Sequence, residues 1–295
     1  MNYLKKTVLV FAMIFPVLIC SCKEKSAYKV ENKTKGSEKK VLIGFSIDSF
    51  AIERWKREVD VFINEAKNWD AEVIVQNAAN DVTTQLHQLD YLASKNVDVV
   101  VILPKQGDAF GEAVQKLRNK GIPVISYDRL ILNANISLYL TVDSEKVGYL
   151  AGEEMLKRTN SKHWFRMMGP LDDYNVHLFM CGLNEAVSSK GIVFDYTYYT
   201  PDWNYDFSRN RMKEILLSGT YPDVIICGND SVANSVISAY KEYASGKKYN
   251  ICGQDCDIVA CQNIVNGFQD FSIFKPIEKL AQEAARYAVL IASDP

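Results

Sequence analysis

The sequence predicts an α/β fold in which parallel β-sheets are covered by helices on both faces. Short apolar runs rich in β-branched residues alternate with longer segments whose apolar residues recur at helical spacing. The runs lack the polar alternation of strands that face water on one side, so both faces of each strand are expected to be buried. Ten such runs fit either two doubly wound lobes or an eight-fold barrel with additional strands.

The ten predicted strands begin at Val41 and continue almost to the end of the chain. They cover residues 41–47, 71–76, 97–103, 122–127, 136–142, 163–168, 192–199, 223–228, 249–254 and 271–274. The segments between them show one apolar face at helical spacing, as in the first, which carries Trp55, Val59, Phe62, Ile63 and Ala66. Each strand is therefore expected to be followed by a helix that packs on the sheet.

The first 21 residues are predicted to be a signal peptide and not part of the fold. Lys5 and Lys6 precede an uncharged apolar stretch, residues 7–19, which is too short to span a bilayer as a helix. Ser21 before Cys22 resembles a bacterial lipobox, which implies cleavage before Cys22 and lipidation of its thiol. A plain signal peptide and a single anchor helix are the alternatives. Residues 22–40 are rich in lysine and contain few apolar residues, so they predict a flexible tether.

Composition argues against several classes of function. The chain has 34 Lys+Arg against 36 Asp+Glu residues and a formal net charge of −2, which does not indicate a nucleic-acid-binding protein. It has only three histidines, no His-Glu-x-x-His motif and no Cys-x-x-Cys pair, so a zinc enzyme is not indicated. We expect neither a metal site nor another cofactor.

Five cysteines follow Cys22, and their role has two interpretations. They are Cys181, Cys227, Cys252, Cys256 and Cys261. In an exported protein they could be oxidised, and the last three could form a metal cluster. The spacing matches no zinc knuckle, however, and two of the five fall inside predicted strands, so packing as small apolar side chains is favoured.

Polar side chains are concentrated where the predicted strands end, which is where ligands bind in open parallel sheets. Four acids directly before helical segments are predicted N-caps: Asp81, Asp108, Asp230 and Asp257. Five other residues are not readily explained by capping: Asp128, Arg129, Asn229, Asp255 and Lys275. Such groups bind hydroxyls, and no nucleophile paired with a base accompanies them, so they indicate binding and not catalysis.

These polar segments, in the order in which they occur, resemble the pentose/hexose branch of the type I periplasmic binding proteins, and within it the D-xylose-binding group. The segments are Ile47-Asp48 with Glu53-Arg54-Trp55, Tyr127-Asp128-Arg129, Asp143 to Gly148, Gly228-Asn229-Asp230, Gly253-Gln254-Asp255 and Phe274-Lys275-Pro276. The similarity extends from about Val41 to Ala292. It implies two Rossmann-like, doubly wound parallel-sheet lobes joined by a hinge that close around one monosaccharide. One lobe would comprise residues 41–133 plus 276–295, and the other residues 134–275.

The resemblance also implies a set of sugar-binding residues. Carried over by matching motif, the polar contacts would be Arg54, Asp128, Arg129, Asn175, Asn229, Asp255 and Lys275. The aromatic faces would be Trp55 and Trp203. Core packing is the alternative for Trp55, because it also lies on the apolar face of the first predicted helix. For Asp128 and Arg129 the alternative is a structural ion pair with each other or with Lys275.

The function implied by the resemblance is that of a receptor and not an enzyme. The protein would be a monomeric lipoprotein facing away from the cytoplasm, in contact with the membrane only through its lipid anchor. It would bind D-xylose or a related pentose or hexose and deliver it to the permease of an ABC importer. The alternative is that a membrane histidine kinase or chemoreceptor reads the same closure. A signal peptide in place of a helix-turn-helix excludes a regulator of the lac-repressor type.

Overall fold

The computed structural model describes residues 39–294. In this part of the chain the strands are β1 Leu42–Ile47, β2 Glu72–Asn77, β3 Val99–Leu103, β4 Val124–Tyr127, β5 Leu138–Leu140, β6 His163–Met168, β7 Val193–Tyr199, β8 Val224–Cys227, β9 Asn250–Gln254 and β10 Phe271–Ile273. The helices are α1 Glu53–Asn68, α2 Val82–Ser94, α3 Gly111–Asn119, α4 Ser144–Leu156, α5 Tyr174–Val187, α6 Tyr205–Leu217, α7 Asp230–Tyr243, α8 Ile258–Val265 and α9 Ile277–Ser293. All ten predicted strands are present.

The strands form two open parallel sheets, each of five strands. The first has the order β2-β1-β3-β4-β5 and the second has the order β10-β9-β8-β6-β7. Every neighbouring pair is parallel. Two separate open sheets exclude the eight-fold barrel, and the predicted fold class of two doubly wound lobes is confirmed.

Each sheet is buried between two layers of helices. On the first sheet, α1 and α9 cover one face, where the rings of Phe45 and Phe62 are 4.8 Å apart, and α2 and α3 cover the other face. On the second sheet, α4 and α5 cover one face and α6 and α7 cover the other. Trp164 is fully buried in β6 and packs in the core of the second sheet. Burial on both faces explains why these strands show no polar alternation.

The predicted lobe boundary at residue 134 falls too early in the chain. Strand β5 pairs with β4 in the first sheet, with Leu138 opposite Ile125. Helix α4, which begins at Ser144, packs in the core of the second sheet. The chain therefore changes sheet between Leu140 and Ser144. The apolar run of β5 predicts a strand, but no feature of that run identifies the sheet in which it pairs.

The chain returns to the first sheet after β10, because α9 packs with α1 and β3. The predicted signal peptide, Cys22 and most of the predicted tether lie outside the described residues. Between residues 39 and 294, no helix is long and apolar enough to cross a membrane. In that same range the five cysteines are unpaired, and Cys227 and Cys252 are buried in β8 and β9.

Candidate binding site

A cavity lies where the carboxyl ends of the two sheets face each other. It encloses about 420 Å³, including its opening to solvent. All nine residues predicted as ligand contacts line it: Arg54, Trp55, Asp128, Arg129, Asn175, Trp203, Asn229, Asp255 and Lys275. They come from segments that follow seven different strands, so the fold alone brings them together. This is the position at which open α/β sheets bind ligands.

Arg54 links the two lobes through its guanidinium group. It lies in the first turn of α1 and is only 3% exposed. Its Nη2 donates to Oδ2 of Asp128 at 2.6 Å, its Nη1 lies 3.5 Å from Oδ1 of Asp255 in the other lobe, and its Nε donates to Glu58. Burial alone would lower the pKa of Arg54, but these three carboxylates raise it well above its ordinary value. Arg54 therefore stays charged.

Asp128 directly follows β4 and occupies a left-handed backbone conformation, with φ of 59°. Asp tolerates this conformation better than most residues, because its short side chain can hydrogen-bond locally. Its Oδ1 accepts from Nδ2 of Asn175 at 2.8 Å, and its Oδ2 accepts from Arg54. Burial would raise the pKa of the Asp128 carboxyl, but the positive charges of Arg54, Lys275 and Arg129 lower it below its ordinary value. Asp128 is therefore ionised and available to accept further hydrogen bonds.

Arg129 has partners other than Asp128. Its Nη1 donates to Asp48 and to the carbonyl of Pro104, and its Nε lies 2.8 Å from Oδ2 of Asp173 in the second lobe. Lys275 pairs with Asp255, with 2.6 Å between Nζ and Oδ1. The structural ion pair considered as an alternative, between Asp128 and either Arg129 or Lys275, is therefore not the arrangement observed. The buried charges thus form two ion-pair clusters, one around Arg54 and one around Arg129, and each crosses between the lobes. Asn175 joins them into one network, since its Nδ2 donates to Asp128 and its backbone N–H donates to Asp173.

Asn229 lines the cavity and also caps α7, a capping role that was predicted for Asp230. It is the N-cap of α7, and its Oδ1 accepts from the backbone N–H of Val232 at 2.9 Å. Asp230 is the first helical residue and accepts from Ser272 and Gln269. The expectation that Asn229 is free of capping was wrong. Its Nδ2 donates one N–H to the phenol oxygen of Tyr205 at 3.4 Å, and the second N–H remains as a donor at the cavity.

The other predicted N-caps give mixed results. Asp81 caps α2 by accepting from the backbone N–H of Thr84 at 2.6 Å. Asp257 occupies the N-cap position of α8 but makes no side-chain cap bond, and α3 begins after Phe110 and not after Asp108. Capping explains one of the four acids as predicted.

The two tryptophans flank the polar network. Trp55 is buried in the first core, with the guanidinium of Arg54 4.1 Å from its ring centroid, so it both packs and lines the cavity. Trp203 is half-buried, and its Nε1 donates to Oδ2 of Asp173 at 3.1 Å. Within the described residues, three buried polar atoms at the cavity have no hydrogen-bond partner: Nε1 of Trp55, Oδ1 of Asn175 and Nε of Arg129. The Nε of Arg129 keeps its ion-pair contact with Asp173, whereas the other two atoms have no such contact. One is a donor and the other an acceptor, so hydroxyl groups would satisfy both.

Three acids of the network were not predicted as site residues. Asp48 directly follows β1, Glu58 lies one helical turn after Arg54, and Asp173 is the N-cap of α5. Glu58 also accepts from the phenol of Tyr127. The spacing of Arg54 and Glu58 at i and i+4 is a signal in the sequence that could have identified this pair.

The network contains more negative than positive groups. The buried cations are Arg54, Arg129 and Lys275, and the buried acids are Asp48, Glu58, Asp128, Asp173 and Asp255. Burial raises the pKa of Asp48 and of Glu58, so negative charge is already disfavoured in this network. An additional carboxylate or phosphate would be desolvated beside these acids, which is unfavourable. The chemistry of the cavity therefore suits a neutral molecule with several hydroxyl groups. No group of three or more His, Cys, Asp or Glu residues in the described part of the chain is placed to hold a metal ion.

Asp257 is a buried acid beside the network, and it leads to a prediction about pH. It is 1% exposed, and among residues 39–294 neither of its carboxylate oxygens has a hydrogen-bond partner. Burial raises its pKa to about 7, with the nearby charges of Asp255 and Glu53 acting in the same direction and those of Arg57 and Arg54 opposing them. The folded state thus binds the proton more tightly than the unfolded state. The stabilisation is fully present below the ordinary Asp pKa of 3.8 and is lost progressively as the pH rises from there through about 7.

Asp257→Asn is therefore expected to raise the free energy of unfolding at pH 8 by about 1–3 kcal/mol relative to the parent protein, with a smaller gain at pH 5. Urea unfolding of both proteins across this range measures the difference. Asp60→Asn, on the exposed face of α1, is the matched control and should follow the parent at every pH. Equal pH profiles for Asp257→Asn and the parent protein would contradict the expectation.

One known domain family matches nearly all of the described part of the chain. The periplasmic binding protein domain matches residues 43–294, which include both sheets and the cavity. The chain belongs to the periplasmic binding protein family. The corresponding expectation from the sequence is confirmed.

Relatives of this periplasmic binding protein include two D-xylose-binding periplasmic proteins. The one from Haemophilus influenzae is 34% identical over 256 residues, which is 85% of this chain and 77% of the relative. The one from Escherichia coli is 32% identical over 256 residues, covering 85% of this chain and 78% of the relative. Both are binding proteins, and the prediction of a binding protein in place of an enzyme is confirmed.

Solved structures show the same fold. A solute-binding protein of an ABC transporter from Clostridium phytofermentans, with bound β-D-glucose, has a TM-score of 0.80 and 30% identity over 86% of this chain and 85% of that chain. A solute-binding protein from Bacillus halodurans has a TM-score of 0.82 and 23% identity, and covers 88% of this chain and 92% of that chain. The second likeness concerns the fold alone.

Proposed function

We propose that this protein binds one neutral monosaccharide, D-xylose or a related pentose or hexose, in the cavity between its lobes. The observation that carries the proposal is that the nine predicted ligand residues, scattered from Arg54 to Lys275, all line one cavity. Two relatives that are 32% and 34% identical carry the name of D-xylose-binding proteins, which supports the choice of sugar.

The chemistry of the cavity fits a pyranose ring. Each ring hydroxyl both donates and accepts, so the side chains of Asp128 and Asp255 would accept from hydroxyls while Arg129, Lys275 and Asn229 would donate to them. The C–H faces of the ring are apolar and would lie against Trp55 and Trp203. Binding would replace part of the existing network of ion pairs with contacts to the sugar, and no chemical step is required.

The bound form would be the closed form, stabilised because the sugar contacts both lobes at once. Delivery to the permease of an ABC importer would follow from the release of sugar when the lobes open. The family places the protein outside the cytoplasm, and we propose that Cys22 carries the lipid anchor and residues 22–40 the tether. The proposed lobes are residues 41–140 plus 276–295, and residues 144–275.

A thermal-shift panel tests the proposal. We expect D-xylose or D-glucose, at about 100 times the dissociation constant, to raise the melting temperature of the purified protein by about 5–10 °C. D-glucuronate, which adds a carboxylate to the glucose framework, should bind at least about tenfold more weakly than D-glucose because of the excess negative charge of the network. No shift with any neutral aldose would contradict the proposed function, and equal binding of D-glucuronate would contradict the charge argument.

A further inference from the structure

Lys105 joins the two lobes at a point outside the cavity. It follows β3 of the first sheet, and its side chain is only 9% exposed. Its Nζ lies 3.1 Å from Oδ2 of Asp172 and 3.0 Å from Oδ1 of Asp202. Both acids belong to the second lobe, in two segments that follow β6 and β7. We call these three residues the Lys105 bridge; none of them lines the cavity.

The backbone of Lys105 is fixed by buried hydrogen bonds. Its N–H donates to Oε1 of Gln85 at 2.9 Å, and the amide of Gln85 donates to the carbonyl of Leu103 at 2.8 Å. Gln85 is fully buried. The carbonyl of Pro104, the residue before Lys105, accepts from Arg129. The lysine therefore extends from a rigid strand end that is also part of the candidate binding site.

The two acids of the bridge directly precede residues of the binding site. Asp172 is followed by Asp173, whose carboxylate contacts Arg129 and accepts from the indole N–H of Trp203. Asp202 is followed by Trp203 itself. Both Asp202 and Trp203 have left-handed backbone conformations, with φ of 51° and 54°, which are unfavourable for residues other than glycine. Contacts such as that between Asp202 and Lys105 must hold this turn in place.

The charges of the bridge suit contact between the closed lobes. Burial would lower the pKa of Lys105, but its contacts with Asp202 and Asp172 raise it above its ordinary value, so the ammonium stays charged. The acids are 40% and 60% exposed, and both would be fully hydrated if the lobes moved apart. The bridge therefore forms only when the lobes are together.

We propose that Lys105 is a positioning residue that prolongs the lifetime of the closed, sugar-bound form, an inference that rests on the proposed function. When the lobes close, its ammonium joins Asp172 and Asp202 and thereby holds Asp173 and Trp203 against the cavity. Because Lys105 does not line the cavity, it acts on the rate of sugar dissociation and not on the choice of sugar.

The rate of sugar dissociation tests this role. In stopped-flow measurements of tryptophan fluorescence with D-xylose, or with the most tightly bound aldose of the panel, Lys105→Met is expected to dissociate about tenfold faster than the parent. Its association rate should change by less than about twofold. The ranking of the aldoses should stay the same. Lys116→Met, on the exposed face of α3 in the same lobe, removes the same charge and should leave the dissociation rate unchanged.

Substitutions of the two acidic partners test the bridge independently, because they do not alter a buried side chain. The double variant Asp172→Asn with Asp202→Asn should accelerate dissociation as much as Lys105→Met, and combining all three changes should add nothing further. Additive effects, or equal dissociation rates for Lys105→Met and Lys116→Met, would overturn the proposal. If the parent protein binds no aldose, the proposed function is contradicted. If the parent binds an aldose and the bridge variants release it at the same rate as the parent, only the role of the Lys105 bridge is contradicted.

Discussion

Asp128→Asn is expected to weaken binding of the preferred aldose by about 1.5–3 kcal/mol, the range for a hydrogen bond to a charged group. The side chain lies between Arg54 and Asn175 at the centre of the cavity, and its ionised carboxylate would accept from sugar hydroxyls. Asparagine keeps the shape of the side chain and tolerates the left-handed backbone at this position, where alanine would add strain. Isothermal titration calorimetry measures the loss.

Asp70→Asn is the matched control for this change. Asp70 also has a positive φ, of 56°, but it is exposed after α1 and away from the cavity. The control should bind like the parent protein. If Asp128→Asn and Arg129→Ala both bound the preferred aldose like the parent, these residues would not be the centre of the site.

Arg54→Met is expected to lower the free energy of unfolding of the sugar-free protein by about 3–5 kcal/mol, as when one partner of a buried ion pair is removed. The change leaves Glu58, Asp128 and Asp255 buried with one positive charge fewer in a network that already contains more acids than bases. Removing an acid such as Asp128 reduces that imbalance, so Arg54→Met should destabilise the protein more than Asp128→Asn does.

The loss in Arg54→Met should be smaller at pH 5 than at pH 8. Without the guanidinium, the pKa of each neighbouring acid in the folded state rises, and protonation at low pH then removes the unpaired charge. Lys56→Met is the control, since Lys56 is exposed on the same helix and the change removes the same charge. Urea unfolding at the two pH values measures both variants. A loss for Arg54→Met no greater than that for Lys56→Met would contradict the expectation.

The sequence predicts the fold well because parallel strands and their helices are defined by local patterns. Uninterrupted apolar runs such as Val99–Leu103 are buried on both faces, as their composition requires. The pairing of β5 with β4 was not predictable in the same way, because it depends on the contacts of the whole sheet. The resulting error of several residues in the lobe boundary has this physical origin.

The binding site is predictable where a residue stands at a strand end and is less so where it acts through a neighbour. Asp128, Arg129 and Asp255 directly follow strands and line the cavity. Glu58 and Asp173 lie inside or at the start of helices, where an acid is ordinarily exposed or a cap. Their roles depend on partners far away in sequence: Arg129 is bound by Asp173 across the lobes, and Glu58 by Tyr127. Asn229 caps a helix and still lines the cavity, so a capping position does not exclude a residue from the binding site.

The central claim is that residues of both lobes enclose one neutral monosaccharide. A crystal structure of the mature protein, crystallised in the presence of D-xylose, tests this claim most directly. We expect one pyranose ring in the cavity, hydrogen-bonded to Asp128 and Arg129 from one lobe and to Asn229 and Asp255 from the other. A sugar bound elsewhere on the protein, with Arg54 still paired to Asp128 and Lys275 still paired to Asp255 across an unoccupied cavity, would contradict the assignment.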